Sequence, residues 1–250
     1  MKTVSRLSIA PVKGLALIHP RELELESFGV ADNRRFYLVD ADGRRYAQLR
    51  DGSLVRIVPE WDGTRLTLTF PDGERADGEL ELGDAVVTDF YGRDVAGRVV
   101  VGPWSRALSD YVGRELTLVM ADEPGGGVDR DVGPVTMLSD ASLDALSDGL
   151  DARRFRMLIG IAGCEPYEED SWLGGLVRVG DAVVRLHEQV ERCAITTQNP
   201  DTGVVDFDTL RTIKERRGFR EGTTKKLDLG VFGDVETPGR VRVGDPVEPV

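Results

Sequence analysis

The residues best suited to chemistry lie at positions 192–203, Arg-Cys-Ala-Ile-Thr-Thr-Gln-Asn-Pro-Asp-Thr-Gly. A thiolate rather than a thiol ligates metals and attacks electrophiles, and the guanidinium of Arg192 beside Cys193 favours the ionised form. Two adjacent hydroxyls, Thr196 and Thr197, follow. Asn199-Pro200-Asp201-Thr202-Gly203 is turn chemistry, because proline presets one dihedral and glycine accepts a positive one. From these residues alone two readings stay open. One is a reactive or metal-ligating thiolate; the other is a small buried cysteine at the end of a strand.

Other soft ligands are few. Cys164, His19 and His187 complete the set, without the paired spacings of a zinc site. Two cysteines cannot hold an iron–sulfur cluster that needs four thiolates. A disulfide between them is not expected in a large acidic chain whose first residues lack a signal-peptide core. Cys164 stands between an apolar run and the acidic loop 165–170, where nearby negative charge disfavours a thiolate. The 32 basic and 44 acidic side chains leave a net charge of −12. Such a surface repels nucleic acid and anionic membranes, so neither is expected as a partner. No apolar run approaches the length of a membrane span. The expected compartment is the cytoplasm.

The elements that must position these residues read as short strands. Residues 4–9 alternate, residues 21–26 place Leu23 and Leu25 on one face with glutamates on the other, and residues 33–40 run into the hairpin signal Asp42-Gly43. Segments 46–49, 54–58 and 66–70 follow, punctuated by Asp51-Gly52, Asp62-Gly63 and Asp72-Gly73. This spacing predicts an antiparallel sandwich or barrel. Residues 103–112 predict a helix, with Trp104, Leu108 and Tyr111 on one face and Gly113 at its end, and residues 116–120 another strand. The polar, glycine-rich segment 121–133, centred on Gly125-Gly126-Gly127, lacks the Lys-Ser/Thr of a phosphate loop and is expected to be a flexible linker. It divides a first domain, 1–120, from a second, 134–250.

The second half opens with a helix capped by Ser139, with Leu143, Leu146 and Leu150 at helical spacing. Residues 155–162 predict an apolar strand, and a hairpin over 177–190 delivers the chain to Cys193. Asp206 is expected to cap a helix that carries Lys214, Arg216 and Arg217 toward Gly218. A last hairpin is expected around Thr237-Pro238-Gly239. The fold class is mainly β with a few helices, α+β.

The pattern Arg-Cys-x-x-Thr-x-x-x-Pro-x-Thr-Gly resembles the signature of the MOSC family, the domain found at the C-terminus of molybdenum cofactor sulfurases. Further stretches fall in the family's order: Phe155-Arg156, Glu169-Asp170-Ser171-Trp172, and Pro238-Gly239 through Gly244-Asp245-Pro246. Pro11-Val12-Lys13-Gly14 and Asn33-Arg34 with Phe36 resemble the N-terminal β-barrel domain that precedes MOSC in many members. The chain departs from the family's pattern at Met157-Leu158, where relatives carry Pro-Asn, at Asn33 in place of aspartate, and at Glu191 in place of a small residue.

The resemblance implies a β-barrel MOSC domain plus a smaller N-terminal β domain, and is nearest to the amidoxime-reducing MOSC enzymes. It implies a molybdopterin-type molybdenum cofactor, with Cys193 as metal ligand and catalytic centre. Lys13, Arg34, Arg156 and Arg192 match the family's basic contacts, and Thr196, Thr197 and Thr202 stand where hydroxyls could donate to pterin or substrate. It also implies reduction of an N-hydroxylated small molecule, with electrons from a separate redox protein. Two other readings are a sulfur or cofactor carrier through a Cys193 persulfide, and a cofactor-free binding module. Lys13 and Arg34 belong to one half and Arg156 and Cys193 to the other, so a shared cleft between the halves is expected.

Overall fold

The computed structural model describes residues 1–125, 128, 129 and 132–250. Gly126 and Gly127, at the centre of the expected linker, lie outside the described residues. The largest sheet has seven strands, in the order Thr3–Leu7, Ile159–Ala162, Val135–Ser139, Asp228–Thr237, Ala182–Glu191, Leu176–Val179 and Val247–Pro249. All neighbours run antiparallel except Val135–Ser139 beside Ile159–Ala162, which are parallel. Thr3 bridges Pro246 and the Val247 amide donates to the Lys2 carbonyl, so the first strand meets the last and the sheet nearly closes into a barrel. Closure removes the exposed edges of the sheet. Its interior is aliphatic, with Leu7, Ile159, Val177, Val184, Leu186 and Val231 buried.

The sheets cross the division expected at 121–133. Thr3–Leu7 belongs to the seven-stranded sheet, and Glu22–Leu25 pairs with Gly239–Arg242. Strand Gly239–Arg242 therefore leaves Asp228–Thr237 instead of closing the expected hairpin with it. The rest of the first half builds a five-stranded sheet, Arg45–Tyr46, Phe36–Asp40, Leu116–Ala121, Asp94–Val101 and Glu81–Asp89, and a three-stranded one, Val58–Trp61, Arg65–Thr69 and Arg75–Glu79. Helix α1, Trp104–Val112, packs between them and buries Trp104 and Leu108. The Trp104 indole donates to the Leu66 carbonyl at 3.0 Å, satisfying its polar tip inside that core.

Three local expectations are corrected. The spacing predicts a strand over 54–58, but Gly52–Arg56 is a 3-10 turn, because the Asp51 carboxylate accepts from the Ser53 amide and Leu54 and Val55 are buried in succession rather than alternately. Arg153 and Arg154 lie in a 3-10 turn over Ala152–Phe155, and the apolar strand begins only at Ile159. Helix α2, Asp140–Leu146, has the expected Ser139 cap, whereas helix α3, Thr209–Arg217, is capped by Asp208. Asp206 instead receives Arg154 and the Asn199 amide, both at 2.7 Å. Where residues 121–133 are described they are anchored: Val128 is buried against Tyr37 and Val119, and the Gly133 amide donates to Asp234.

Candidate functional site

Cys193 follows the long strand Ala182–Glu191 and caps the 3-10 turn Ala194–Thr197, with its side chain exposed. The turn beyond it is held from three directions. Arg153 chelates both Asp151 and Asp201, Arg154 reaches the Thr197 carbonyl and Asp206, and the Asn199 side chain accepts from the Asp201 and Thr202 amides. Gly203 adopts a positive φ of 74° and lies against Gly52 so closely that a Cβ on it would meet the Gly52 carbonyl oxygen at 1.9 Å. The glycine is therefore needed twice, for its dihedral and for its contact with the other half of the chain.

Cys193 opens into a cleft of about 640 Å³. Lys13, Arg34, Arg156 and Arg192 line it as well, so the cations of both halves converge on the thiol's cleft. Local backbone explains how. Lys13 is pinned by its amide donating to the Phe36 carbonyl at 2.8 Å, and Arg34 by its amide donating to Ala10 at 2.7 Å. Arg34 and Arg156 both take left-handed conformations, with φ of 56° and 51°. Such a conformation costs a residue with a Cβ about 1 kcal/mol, and strain of this kind concentrates at functional sites. Arg156 donates to the Leu15 carbonyl at 2.8 Å across the two halves. Arg192 donates to the carbonyls of Leu229 and Phe155 and to the Met157 sulfur at 2.8 Å, so Met157 serves as its acceptor.

Thr196, Thr197 and Thr202 do not line this cleft. Thr196 is buried, with its hydroxyl on the Cys193 carbonyl and the Thr209 hydroxyl; Thr197 donates to the Ala194 carbonyl, and the Thr202 hydroxyl accepts from the Val204 amide. These hydroxyls satisfy the turn that carries Cys193. The three departures from the family pattern also have places. The Asn33 side chain is buried and accepts from the Ala10 amide at 3.0 Å, Leu158 packs in the barrel core, and Glu191 is exposed with Lys226 at 3.7 Å.

Two residues of the cleft have no sequence precedent above. Asp129 places its carboxylate between the Lys13 ammonium and the Arg34 guanidinium, pairing with both. Burial alone would raise its pKa, but the charges of Lys13 and Arg34 outweigh burial and hold it well below the usual carboxylate range. Burial and then the like charge of Arg34 weaken the charged form of Arg156, which Asp129 offsets in part. Gln48 is the second. Its side-chain amide donates to Gln198 Oε1 at 3.3 Å, and Gln198 in turn donates to the Gln48 carbonyl at 2.9 Å. That exchange fixes the orientation of both amides. It leaves Gln48 Oε1 buried with no hydrogen-bond partner among the described residues, in a side chain that lines the cleft. Buried acceptors are normally paired, so this oxygen is an orphan in a residue at the wall of the cleft. Asp129 sits in a segment that reads as linker, and Gln48 in one that reads as plain strand, so neither carried a pattern to find it by.

The donor set suits a pterin-bound metal: one accessible sulfur as a soft ligand, cations for a phosphate, and an unfilled acceptor for a ring N–H. Among the described residues no group of three or more His, Cys, Asp or Glu is arranged to hold a metal ion by itself. Cys164 offers no second site. It is half-buried beneath the loop of Glu168 and Glu169, and burial pushes its thiol up to about 12, with both carboxylates adding to the effect. No helix among the described residues is long and apolar enough to cross a membrane.

Comparison with known proteins identifies the family. Mitochondrial amidoxime reducing component 2 of Bos taurus is 33% identical, over 98% of this chain and 82% of its own. Mitochondrial amidoxime-reducing component 1 of Xenopus laevis is 28% identical, over 98% of this chain and 81% of its own. Among solved structures, the YUAD protein from Bacillus subtilis superposes with a TM-score of 0.48 at 10% identity, covering 99% of this chain and 94% of that one, a likeness too distant to add to the assignment. The MOSC N-terminal beta barrel domain matches residues 1–115 and the MOSC domain residues 126–248, and this chain therefore belongs to the MOSC-domain family with its N-terminal β-barrel domain.

Proposed function

We propose that the cleft binds a molybdopterin-type molybdenum cofactor and that the protein reduces N-hydroxylated small molecules. The observation that carries this reading is convergence: Lys13 and Arg34 from one half, and Arg156 and an exposed Cys193 from the other, share one cleft. The names of the relatives, amidoxime-reducing components, support an oxidoreductase role. When bound, the cofactor would supply two-electron chemistry for removing oxygen from N–OH. The chain's own residues would supply the rest. Cys193 would be the protein ligand to the metal, Lys13, Arg34 and Arg156 would hold the phosphate, and Gln48 Oε1 would accept from a ring or substrate N–H. Electrons would come from a separate redox protein, since two cysteines leave the chain no cluster of its own.

The test is the molybdenum and released pterin content of protein made in a cofactor-competent host. One metal and one pterin per chain are expected, and neither in Cys193→Ser, because a hydroxyl is a harder and far less acidic ligand. Wild-type protein lacking both would end the reading. The exposure of Cys193 also suits a persulfide carrier. Metal-free protein that releases sulfur from Cys193 on cyanide treatment would move the assignment there.

A further inference from the structure

We propose that Asp129 is an internal counter-anion that sets which ligands the cationic end of the cleft admits: a phosphate dianion displaces its carboxylate, and monoanions do not. The inference rests on the reading above only in taking the cleft as an anion site.

The geometry is direct. The Asp129 carboxylate occupies the position between Lys13 Nζ and Arg34 Nε, where an anionic ligand would be held. All three side chains are largely withdrawn from water, at 12% exposure for Lys13, 20% for Arg34 and 22% for Asp129. Pairs this sheltered are screened much less by salt than surface pairs. Val128, buried at 2%, anchors the backbone next to Asp129, so the carboxylate stays near its partners even when released. A group tethered in this way competes as though present at roughly millimolar concentration.

Charge decides which competitor wins. Lys13, Arg34, Arg156 and Arg192 bring four positive charges to the cleft, against which stand the carboxylates of Asp129 and, at the rim beside Lys226, Glu191, which leaves two positive charges in excess. An incoming acetate or chloride carries no more charge than the carboxylate it would replace, and must also overcome the tether. A phosphomonoester carries close to two negative charges above its second pKa of about 6, with three strong acceptor oxygens. It can satisfy Lys13 as a point charge while offering Arg34 and Arg156 the paired oxygens that a guanidinium fork prefers. The exchange is favourable for the dianion alone. A positioning role for Asp129, in which the carboxylate stays and holds Lys13 and Arg34 for the ligand, predicts the opposite response to its removal.

The experiment uses the full chain from a host unable to make the cofactor, with inorganic phosphate and acetate as probes at pH 8 and matched ionic strength. Binding is read by thermal unfolding and calorimetry. The wild type is expected to be stabilised by phosphate and not by acetate, a comparison that needs no variant. Asp129→Asn, and Asp129→Ser as a second replacement, are expected to bind phosphate about tenfold more tightly, within the usual range for coupled sites, and to respond to acetate. Weaker phosphate binding by both variants would overturn the proposal in favour of a positioning role. Equal responses of the wild type to the two anions, or no response to phosphate, would overturn it as well. Molybdenum and pterin in protein from a competent host would show the cofactor reading standing even if Asp129 failed, and their absence would show that reading failing separately.

Discussion

The loops that carry Cys164 and Cys193 are built on opposite electrostatic plans. Around Cys164 carboxylates predominate and most of them are paired or hydrogen-bonded locally, although Asp170 Oδ1 and Arg217 Nη1 are buried without a hydrogen-bond partner among the described residues. Lys2 meets Glu168 at 2.8 Å, Arg217 meets Asp170, and the fully buried Glu169 accepts from the Ser139 amide and from the hydroxyls of Ser139 and Ser142. Around Cys193 four cations, two from each half of the chain, outnumber the two carboxylates, Asp129 and Glu191, that line the cleft with them. Both clusters keep an orphaned buried atom, so what tells them apart is the sign of their excess charge: carboxylates gather around Cys164, whereas the cations around Cys193 leave free energy for an anionic ligand to collect.

That contrast can be broken by mutation. The largest effect is expected for Cys193→Ser, with molybdenum content and N-hydroxy reductase activity falling to background while Cys164→Ser retains both. The reverse result would place the chemistry in the wrong loop. Next comes Glu169→Ala, which leaves the buried Ser139 amide and one hydroxyl proton of the Ser139–Ser142 pair without an acceptor and should cost about 3 kcal/mol of unfolding free energy in a denaturant titration. Metal content should be unaffected, and a stability loss under about 1 kcal/mol would mean that the Cys164 loop is not held by this network.

Two smaller effects sharpen the contrast. Iodoacetamide at pH 8 should modify Cys193 at least about tenfold faster than Cys164, as read by mass spectrometry of the two peptides, because the thiolate is the nucleophile and Cys164 is held protonated. Comparable rates would remove the electrostatic distinction. Near neutrality the last effect is the smallest, and it grows with pH. The folded-state pKa of Cys164, about 12, lies above its ordinary 9.0. Above pH 9 the unfolded chain therefore gives up a proton that the folded chain keeps, and stability falls as pH rises from 9 toward 12. Cys164→Ser removes this slope and should cost no more than about 1 kcal/mol near neutrality. An alkaline arm identical in the two proteins would show that burial of Cys164 is not felt in folding.

Much of this was legible in the amino-acid sequence. Short strands with Asp-Gly turns, the face of Trp104 and Leu108, the Ser139 cap and the turn at 199–203 are all decided within a few residues, by propensity and hydrogen bonds that the segment itself supplies. The resemblance named the family, and of the residues it pointed to, Lys13, Arg34, Arg156, Arg192 and Cys193 line one cleft whereas Thr196, Thr197 and Thr202 do not. What stayed hidden depended on distant neighbours. Glu81–Asp89 pairs closely with Asp94–Val101 but leaves most of its own side chains exposed, so no alternation marked it.

Only the tertiary structure decided that Thr3–Leu7 closes the barrel of the second half, since backbone pairing carries no side-chain signature that says which strand it will meet. Only it decided that Gly203 rests on Gly52, a contact between glycines far apart in the chain and invisible to any local pattern. It likewise turned a linker aspartate into the counter-ion of Lys13 and Arg34. The residue types were written in the chain, but whether a charge is solvated, paired or waiting for a ligand is set by what surrounds it, because Coulomb energies depend on distance and burial, and both exist only after folding.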